Sequence, residues 1–295
     1  MSTVSRLDDD TAGTVTLGDL VVRRLGFGAM RLTGSGVWGP PQDREGCQEV
    51  LRRALELGVN FIDTADSYGP EVDEELIAET LHPYPDDLVI ATKGGFERPG
   101  PGSWRPNGRP EHLRRACEGS LARLGVDSIG VYQLHTVDRD VPFEESVGAL
   151  ADIRDEGKIR HVGLSNVRTH HVSSARELVP VVSVQNRFHL RDRSSQDVVD
   201  LCEHEGIAFI AYFPLAAGDL ARDEGTHAQV AGRHDATPAQ AALAWLLARS
   251  PVMLPIPGTA SLDHLEENIA AAGLKLTPDD LERLEAPYWT GRAPP

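Results

Sequence analysis

The chain has 295 residues, of which 40% are hydrophobic and 25% are charged, and its formal net charge is −16. These values fit a globular protein with a substantial core, arranged either as one large α/β barrel or as two ordinary domains. The acidic balance argues against nucleic acid and anionic membranes as main partners, because both bind basic surfaces.

The cysteine count and the first residues indicate the compartment. Cys47, Cys117 and Cys202 are too few, and odd in number, for a disulfide framework, and all three fall in helix-like segments where they read as structural. No apolar stretch approaches a membrane span, and the start MSTVSRLDDD is unlike a signal or transit peptide. We therefore expect a soluble, cytoplasmic protein.

Strand-like and helix-like segments alternate along the chain. Residues 1–12 are expected to form a loose arm, and TVTLGDLVVRRL a hairpin turning at Gly18-Asp19. Nearly continuous apolar runs, typical of strands covered on both faces, then occur at 25–30, 60–65, 87–93, 129–135, 159–166, 181–186, 207–213 and 251–258. Amphipathic helical segments follow at 44–58, 73–81, 110–125, 142–157, 167–179, 194–206, 237–250 and 261–273.

Eight such units predict a (β/α)8 TIM barrel with an N-terminal β-hairpin, in one domain over 1–295 with a short tail over 287–295. The alternative is a doubly wound open sheet, but Gly26 and Gly28 are followed by Arg31 where the dinucleotide fingerprint needs a third glycine. Two long segments, 94–110 and 214–235, look poor in secondary structure. Both follow strands, so both are expected at the catalytic rim of the barrel.

Four side chains are expected to meet at that rim. Asp63, Lys93 and His135 each close a predicted strand, and Tyr68 follows Asp63 in the next turn. A carboxylate, an ammonium, an imidazole and a phenol together make a proton-transfer site, in which the ammonium favours the phenolate and lowers the pKa of the tyrosine. Each residue alone also suits ordinary capping or packing, but their convergence on consecutive units indicates catalysis.

Polar groups end the later strands as well. Ser165, Asn166 and Gln185 supply the donors and acceptors that a primary amide would need, and Tyr212 offers a flat face for stacking a ring. The segment PIPGTASLDHLEEN runs from a glycine loop into a helix start, where an anion could bind. Neither HExxH nor CxxC is present, and we predict no metal site.

The motifs FIDTADSYG, ATKGG, QLH, GLSN, VQN and a terminal EN, in this order between about 26 and 268, resemble the aldo-keto reductase superfamily. The segments GAMRLTGSGVWGPP, HPYPDDLVIATKGG and PIPGTASLDHLEEN are similar to those of the bacterial branch that includes pyridoxal reductases. The resemblance implies a (β/α)8 barrel that reduces aldehydes and ketones with NADPH. It makes Tyr68 the general acid, Lys93 the group that lowers its pKa, Asp63 the partner of Lys93, and His135 the residue that orients the carbonyl.

The resemblance also implies a set of cofactor contacts. Ser165, Asn166 and Gln185 would hold the nicotinamide carboxamide, and Tyr212 would stack on the ring. Phe213, Pro214, Leu215 and Ala216 would lie beside the pyrophosphate, and Glu267 and Asn268 at the adenine. The other implied contacts are Gly28, Met30, Arg31, Asp63, Ile256, Gly258, Thr259, Ser261 and His264.

One stretch departs from the family pattern at the 2′-phosphate. Many members have Lys-Ser and an arginine there, whereas this chain has Gly258-Thr259, with His264 at the arginine position. Backbone N–H groups near Gly258 and the hydroxyls of Thr259 and Ser261 can still bind a phosphate. NADPH is therefore favoured, with NADH as the alternative.

The leading functional prediction is a reductase for small-molecule carbonyls, including pyridoxal-like or other aromatic ones, with Tyr68 and His135 at the carbonyl and Trp38, Phe96 and Trp104 as candidate pocket residues. One alternative is a cofactor-binding regulatory subunit, and another is an enzyme using the same site for elimination or isomerisation without net redox change. The sequence does not identify the physiological substrate. It does not fix the oligomeric state either, and a monomer is slightly favoured.

Overall fold

The barrel is an eight-stranded sheet in which every neighbouring pair is parallel. The computed structural model describes residues 6–288. A hairpin of β1 (Thr14–Leu17) and β2 (Leu20–Arg23) precedes the barrel, and its turn is at Gly18-Asp19, as predicted. The barrel strands follow in chain order: β3 (Phe27–Gly28), β4 (Phe61–Asp63), β5 (Val89–Gly94), β8 (Ile129–Leu134), β9 (Ile159–Ser165), β10 (Val181–Arg187), β11 (Ala208–Tyr212) and β12 (Met253–Pro255). The remaining two, β6 (Phe96–Glu97) and β7 (Arg105–Pro106), form a small antiparallel hairpin.

The ring is closed by hydrogen bonds between its first and last strands. The Gly26 amide donates to the main-chain oxygen of Pro255 at 3.0 Å, and the Gly28 amide to that of Pro257 at 3.4 Å. A Cβ on Gly28 would lie 2.7 Å from the main-chain oxygen of Ile256, and one on Gly258 only 2.2 Å from that of Gly28. Glycine is required at both positions because two backbones approach closely there.

Helices cover the outside of the ring, and eight of them lie at or near the predicted helical segments. The helices are α1 (Asp9–Ala12), α2 (Arg44–Glu56), α3 (Val72–Leu81), α4 (Pro110–Leu124), α5 (Phe143–Asp155), α6 (Thr169–Arg176), α7 (Gln196–Glu205), α8 (Thr226–Gly232), α9 (Pro238–Arg249), α10 (Leu262–Ala270) and α11 (Pro278–Glu285). Local sequence sets many of the ends. For example, Thr237 and Gln240 form a capping box at the start of α9, and Gly206 ends α7 in the left-handed conformation.

Two apolar cores hold the layers together. The larger lies between the sheet and the helices and contains the three cysteines, all buried as expected. The smaller fills the barrel interior, where Phe61, Val131 and Ile210 pack with Leu17 and Val22 of the hairpin. The hairpin therefore plugs the end of the barrel at which the strands begin, leaving the opposite rim for a site.

Several sequence predictions about the connecting segments were wrong. Residues 6–12 are not a loose arm, since Leu7 is buried and Asp8 caps α1. The segment 94–110 contains the β6–β7 hairpin, and 214–235 contains α8, whose short buried face of His227, Val230 and Ala231 begins with a polar residue. Helix α11 was not predicted at all. Of the predicted tail over 287–295, residues 289–295 lie outside the described residues.

Across residues 6–288 every helix is either too short or too polar to cross a membrane. In the same part of the chain, no group of three His, Cys, Asp or Glu side chains is arranged to hold a metal ion.

Candidate active site

The structure brings the four predicted side chains together at the rim where the barrel strands end. Asp63 is the last residue of β4, Lys93 lies near the end of β5, and His135 follows β8 directly. These three strands are neighbours in the sheet, and Tyr68 lies in the turn between β4 and α3. Because parallel strands end at one edge, residues far apart in sequence share one small volume.

The Lys93 ammonium is the centre of this group. Its Nζ donates to Asp63 Oδ2 at 2.6 Å, to the main-chain oxygen of Thr64 at 2.8 Å, and to the Tyr68 hydroxyl at 3.3 Å. The Lys93 side chain is fully buried. Burial disfavours its charge, but the contacts with Asp63 and Tyr68 outweigh this effect and raise the pKa of Lys93, which stays an ammonium.

Both oxygens of Asp63 have partners. While Oδ2 accepts from Lys93, Oδ1 accepts from Gln185 Nε2 at 2.7 Å and from Gln133 Nε2 at 3.0 Å. Gln133 lies opposite Lys93 in the pairing of β5 with β8 and was not among the predicted site residues. The two amides and the ammonium fix the carboxylate, which in turn fixes the lysine beneath the phenol.

The expected lowering of the tyrosine pKa is wrong as a net effect. Burial raises the pKa of Tyr68 to about 12, although Lys93 acts in the opposite direction through its charge and hydrogen bond. Sequence could show the lysine but not the depth at which the phenol is buried. Below that pKa the hydroxyl keeps its proton, so Tyr68 is a proton donor at neutral pH.

His135 is held as a neutral ring. Burial, followed by the charges of Lys93 and Arg98, lowers its pKa well below the usual value. The Ser67 hydroxyl lies 3.3 Å from Nδ1 of the ring. In the tautomer in which Ser67 donates to Nδ1, the single ring proton is on Nε2, and the ring can donate to a carbonyl oxygen. Ser67, like Gln133, was missed by the sequence reasoning.

An aromatic wall stands beside these residues. The His135 ring packs edge-on against Phe96 at 4.8 Å, Tyr68 at 5.8 Å and Trp104 at 6.3 Å between centroids. Trp38 lies in a loop that bridges to Gly69, next to Tyr68. The predicted substrate-side residues Trp38, Phe96 and Trp104 therefore do lie around the catalytic group.

Arg98 links three rim loops to each other and packs against the aromatic wall. Its guanidinium donates to the main-chain oxygens of Ser67 at 2.7 Å, Ser103 at 2.9 Å, Val37 at 3.0 Å and Gly36 at 3.3 Å. It also stacks on Trp104 at 3.7 Å and lies 5.4 Å from the Trp38 ring. A planar group with five donors suits this position better than a lysine would.

We expect Arg98→Met to raise KM for carbonyl substrates and to lower kcat/KM by about 10-fold or more, because hydrogen bonds from charged donors contribute roughly 1.5–3 kcal/mol each and several are lost. Arg98→Lys should retain the charge but recover only part of the loss. Steady-state kinetics of both variants, with melting curves to follow stability, make the comparison. Wild-type kinetics in Arg98→Met would show that the loops hold their places without it.

The predicted nicotinamide contacts lie on adjacent strands. Ser165 and Gln185 are paired across β9 and β10, and Gln185 Nε2 donates hydrogen bonds to Asp63 and Gln133. Asn166 Nδ2 donates to Ser165 Oγ and to the main-chain oxygen of His135, and Asn166 Oδ1 accepts from the Tyr212 hydroxyl at 2.7 Å. Within residues 6–288 no hydrogen bond reaches Gln185 Oε1, which leaves an acceptor for an amide N–H.

The backbone after two of these strands is left-handed at residues other than glycine. Asn166 has φ of 58°, Phe213 of 50° and Ala216 of 50°. Such conformations cost about 1–3 kcal/mol each and gather at ligand sites. The side chain of Asn186 fixes the backbone directly after Asn166. Its Oδ1 accepts from the Val167 amide at 3.0 Å, and its Nδ2 donates to the Val167 main-chain oxygen at 2.8 Å. Pro214 and Leu215 lie in the second loop, between Phe213 and Ala216.

The segment from Ile256 to Asn268 forms a loop and a helix start. Thr259 Oγ1 accepts from the Ser261 amide at 3.0 Å, and Ser261 caps α10 by accepting from the His264 amide. Both hydroxyls therefore keep their hydrogens for an outside acceptor, beside the free N–H groups of the first turn of α10. His264 is exposed, Glu267 is half-buried and Asn268 is buried. Met30 and Arg31 lie in a 3₁₀ turn after β3.

Sequence and structure comparisons place these features in a known family. The aldo/keto reductase family model matches residues 24–288. The chain is 50% identical to an uncharacterised oxidoreductase of Schizosaccharomyces pombe, over 95% of this chain and 92% of that protein. It is 44% identical to pyridoxine 4-dehydrogenase of Escherichia coli, over 93% and 98% of the two chains.

A solved structure agrees with these matches. The aldo-keto reductase from Klebsiella pneumoniae in complex with NADPH is 28% identical, with a TM-score of 0.78 over 93% of this chain and 94% of that one. The chain belongs to the aldo/keto reductase family, and it is an oxidoreductase. The predicted fold and family are thereby confirmed.

Proposed function

We propose that the protein reduces aldehydes and ketones to alcohols with NADPH, with Tyr68 as the proton donor. The observation that carries this proposal is the position of Lys93 Nζ, which bridges the Asp63 carboxylate at 2.6 Å and the Tyr68 hydroxyl at 3.3 Å beside a neutral His135. Such a group delivers a proton at one fixed point on the rim.

Each residue has one part in the step. Nε2 of His135 donates a hydrogen bond to the carbonyl oxygen and orients it. The Tyr68 hydroxyl transfers its proton to that oxygen as the carbonyl carbon is reduced, and the ammonium of Lys93 stabilises the phenolate left behind. Asp63, Gln133 and Gln185 hold the lysine in place, and the wall of Phe96, Trp38 and Trp104 excludes water.

The residues present fit a nicotinamide cofactor. The free acceptor of Gln185 and the polar atoms of Ser165 and Asn166 would hold its carboxamide, and the Tyr212 ring would lie against the nicotinamide. The left-handed loop from Phe213 would accept the pyrophosphate. When bound, NADPH supplies the hydride. Gly258, Thr259 and Ser261 would hold its 2′-phosphate, with Glu267 and Asn268 at the adenine.

The favoured substrates are pyridoxal-like or other aromatic aldehydes. The support is the aromatic wall beside Tyr68 and the 44% identity to a pyridoxine 4-dehydrogenase. Purified protein should consume NADPH with pyridoxal and with substituted benzaldehydes, giving the alcohol in equal amounts. A product formed without NADPH consumption would favour the redox-neutral alternative, and absence of any turnover across a broad aldehyde panel would contradict the proposal.

NADPH is expected to bind more tightly than NADH, through the loop and hydroxyls before α10. Thr259→Val should weaken NADPH by about 10-fold while changing NADH little, because a hydroxyl bonded to a charged group contributes roughly 1.5–3 kcal/mol. His264→Ala, at an exposed position, is the comparison and should have the smaller effect. Fluorescence titration measures all six constants, for the wild type and the two variants with each cofactor. Equal binding of the two cofactors by the wild type would show that Gly258 and His264 have removed phosphate selectivity.

A further inference from the structure

We propose that the preferred substrates carry an anionic group, a carboxylate or a phosphate, which binds in an arginine-lined cavity next to the candidate active site. The proposal rests on the carbonyl reduction proposed above and adds the chemical class of the substrate. It concerns the loops that follow β5, β8 and β9.

The cavity has a volume of about 860 Å³, and four arginines line it: Arg105, Arg109, Arg139 and Arg168. This volume is within the range of small-molecule sites, roughly 300–1,000 Å³. Arg109 and Arg168 are also the cap residues of α4 and α6, so two helix N-termini are beside the cavity. Positive ends of helix dipoles favour anions.

The acidic residues of the lining do not cancel this charge. Glu97 is paired with Arg105. Asp138 is hydrogen-bonded to the backbone, since its two oxygens accept from the amides of Gly108 and Asp140, both at 2.9 Å. Over the part of the chain that the structure describes, Arg109, Arg139 and Arg168 make no ion pair. Asp138 keeps its negative charge, so two carboxylates, Asp138 and Asp140, face three guanidinium groups without an ion-pair partner, which leaves an excess of positive charge in a chain whose formal net charge is −16.

Three residues of the cavity lining are next to the candidate active site, in the chain or through a hydrogen bond. Thr136 in its lining directly follows His135, and Glu97 directly follows Phe96, whose ring is 4.8 Å from the His135 ring. Asn166, also in the lining, donates to the main-chain oxygen of His135 at 3.0 Å. A substrate whose carbonyl is at Tyr68 and His135 can therefore extend towards the cavity with an anionic substituent.

The arginines are not needed by the cofactor. The candidate phosphate-binding segments follow β11 and β12, the seventh and eighth strands of the ring, whereas the cavity follows the third, fourth and fifth. The two regions are on different sides of the rim. Guanidinium groups pair with carboxylates and phosphates through parallel hydrogen bonds, so these arginines suit either anion.

The test compares 4-carboxybenzaldehyde with 4-carbamoylbenzaldehyde, which has the same shape without the charge, using the full chain with saturating NADPH. We expect a higher kcat/KM for the acid, and a fall of about 5-fold or more in the acid-to-amide ratio in Arg139→Gln/Arg168→Gln, given the worth of partly exposed ion pairs. Added salt should lower the same ratio. Arg115→Gln is the control, because Arg115 is exposed on α4 and does not line the cavity. Glyceraldehyde 3-phosphate against glyceraldehyde tests whether phosphate or carboxylate is preferred.

Equal kcat/KM for acid and amide in the wild type, or a preference that survives the double substitution, would overturn the inference and leave the reductase proposal intact. If neither these two aldehydes nor the broad aldehyde panel is turned over, the proposed function fails instead. Calorimetric binding of the acid and the amide to the wild type and the double variant then decides the anion site by itself. Tighter binding of the acid, lost in the double variant, supports the site, and equal binding rejects it.

Discussion

Tyr68→Phe is expected to lower carbonyl reduction by roughly 10²–10⁴-fold, the contribution of a positioned general acid. The ring remains to pack against Trp104 and His135, and only the hydroxyl that accepts from Lys93 is lost. NADPH affinity should therefore stay at the wild-type value. Single-turnover rates with a saturating aldehyde, together with cofactor titration, separate the chemical step from binding.

A matched control is Tyr84→Phe, which removes a hydroxyl that donates to the main-chain oxygen of Leu124 far from the rim. It should retain wild-type turnover. If Tyr68→Phe kept most of the wild-type rate, another proton donor would have to be sought, and neutral His135 is the nearest candidate.

Lys93→Met should have the second large effect, on both turnover and stability. The substitution leaves the Asp63 carboxylate buried without its cation, which costs about 3–5 kcal/mol when a buried pair is broken. The pKa of Tyr68, about 12 in the wild type, should rise further, because Lys93 lowers it. Alcohol oxidation needs the phenolate and increases towards this pKa, so its pH profile should move to higher pH, while reduction becomes slower because the phenol is a weaker acid.

Rates in both directions across a pH series, with melting curves, test this expectation. Asp63→Asn combined with Lys93→Met removes the unpaired carboxylate and should recover stability without activity, which separates the two effects. Lys275→Met, at an exposed lysine, is the control. A healthy rate with an unshifted profile in Lys93→Met would contradict the role of the ammonium.

The barrel could be predicted because its strands have a clear sequence pattern. Parallel strands covered on both faces appear as continuous apolar runs, and Asp63, Lys93 and His135 stand out where three such runs end. The parts that were missed have no such signal. Helix α8 begins at Thr226, after Gly225, which has no side chain to cap it, and its short buried face starts with the polar His227, so neither capping nor an apolar pattern indicates it.

The support of the site was less predictable than its reacting groups. Arg98 acts on main-chain oxygens of residues between 5 and 62 positions away, and any residue type can offer a main-chain oxygen. Gln133 and Ser67 depend in the same way on partners brought close by the fold. The pKa of Tyr68 went in the unexpected direction because a neighbouring charge can be read from the motif, whereas burial depends on every loop around it.

The way the ring closes has a consequence for synthesis of the protein. The first barrel strand receives its last neighbour only when the segment from Pro255 to Pro257 is available to bond Gly26 and Gly28. Until the ribosome has released that segment, the nascent sheet has two unpaired edges, which are the surfaces at which strands of different chains associate. Pairing residues so distant in sequence is also slow. The period before closure is therefore when this chain is most exposed to association with other chains.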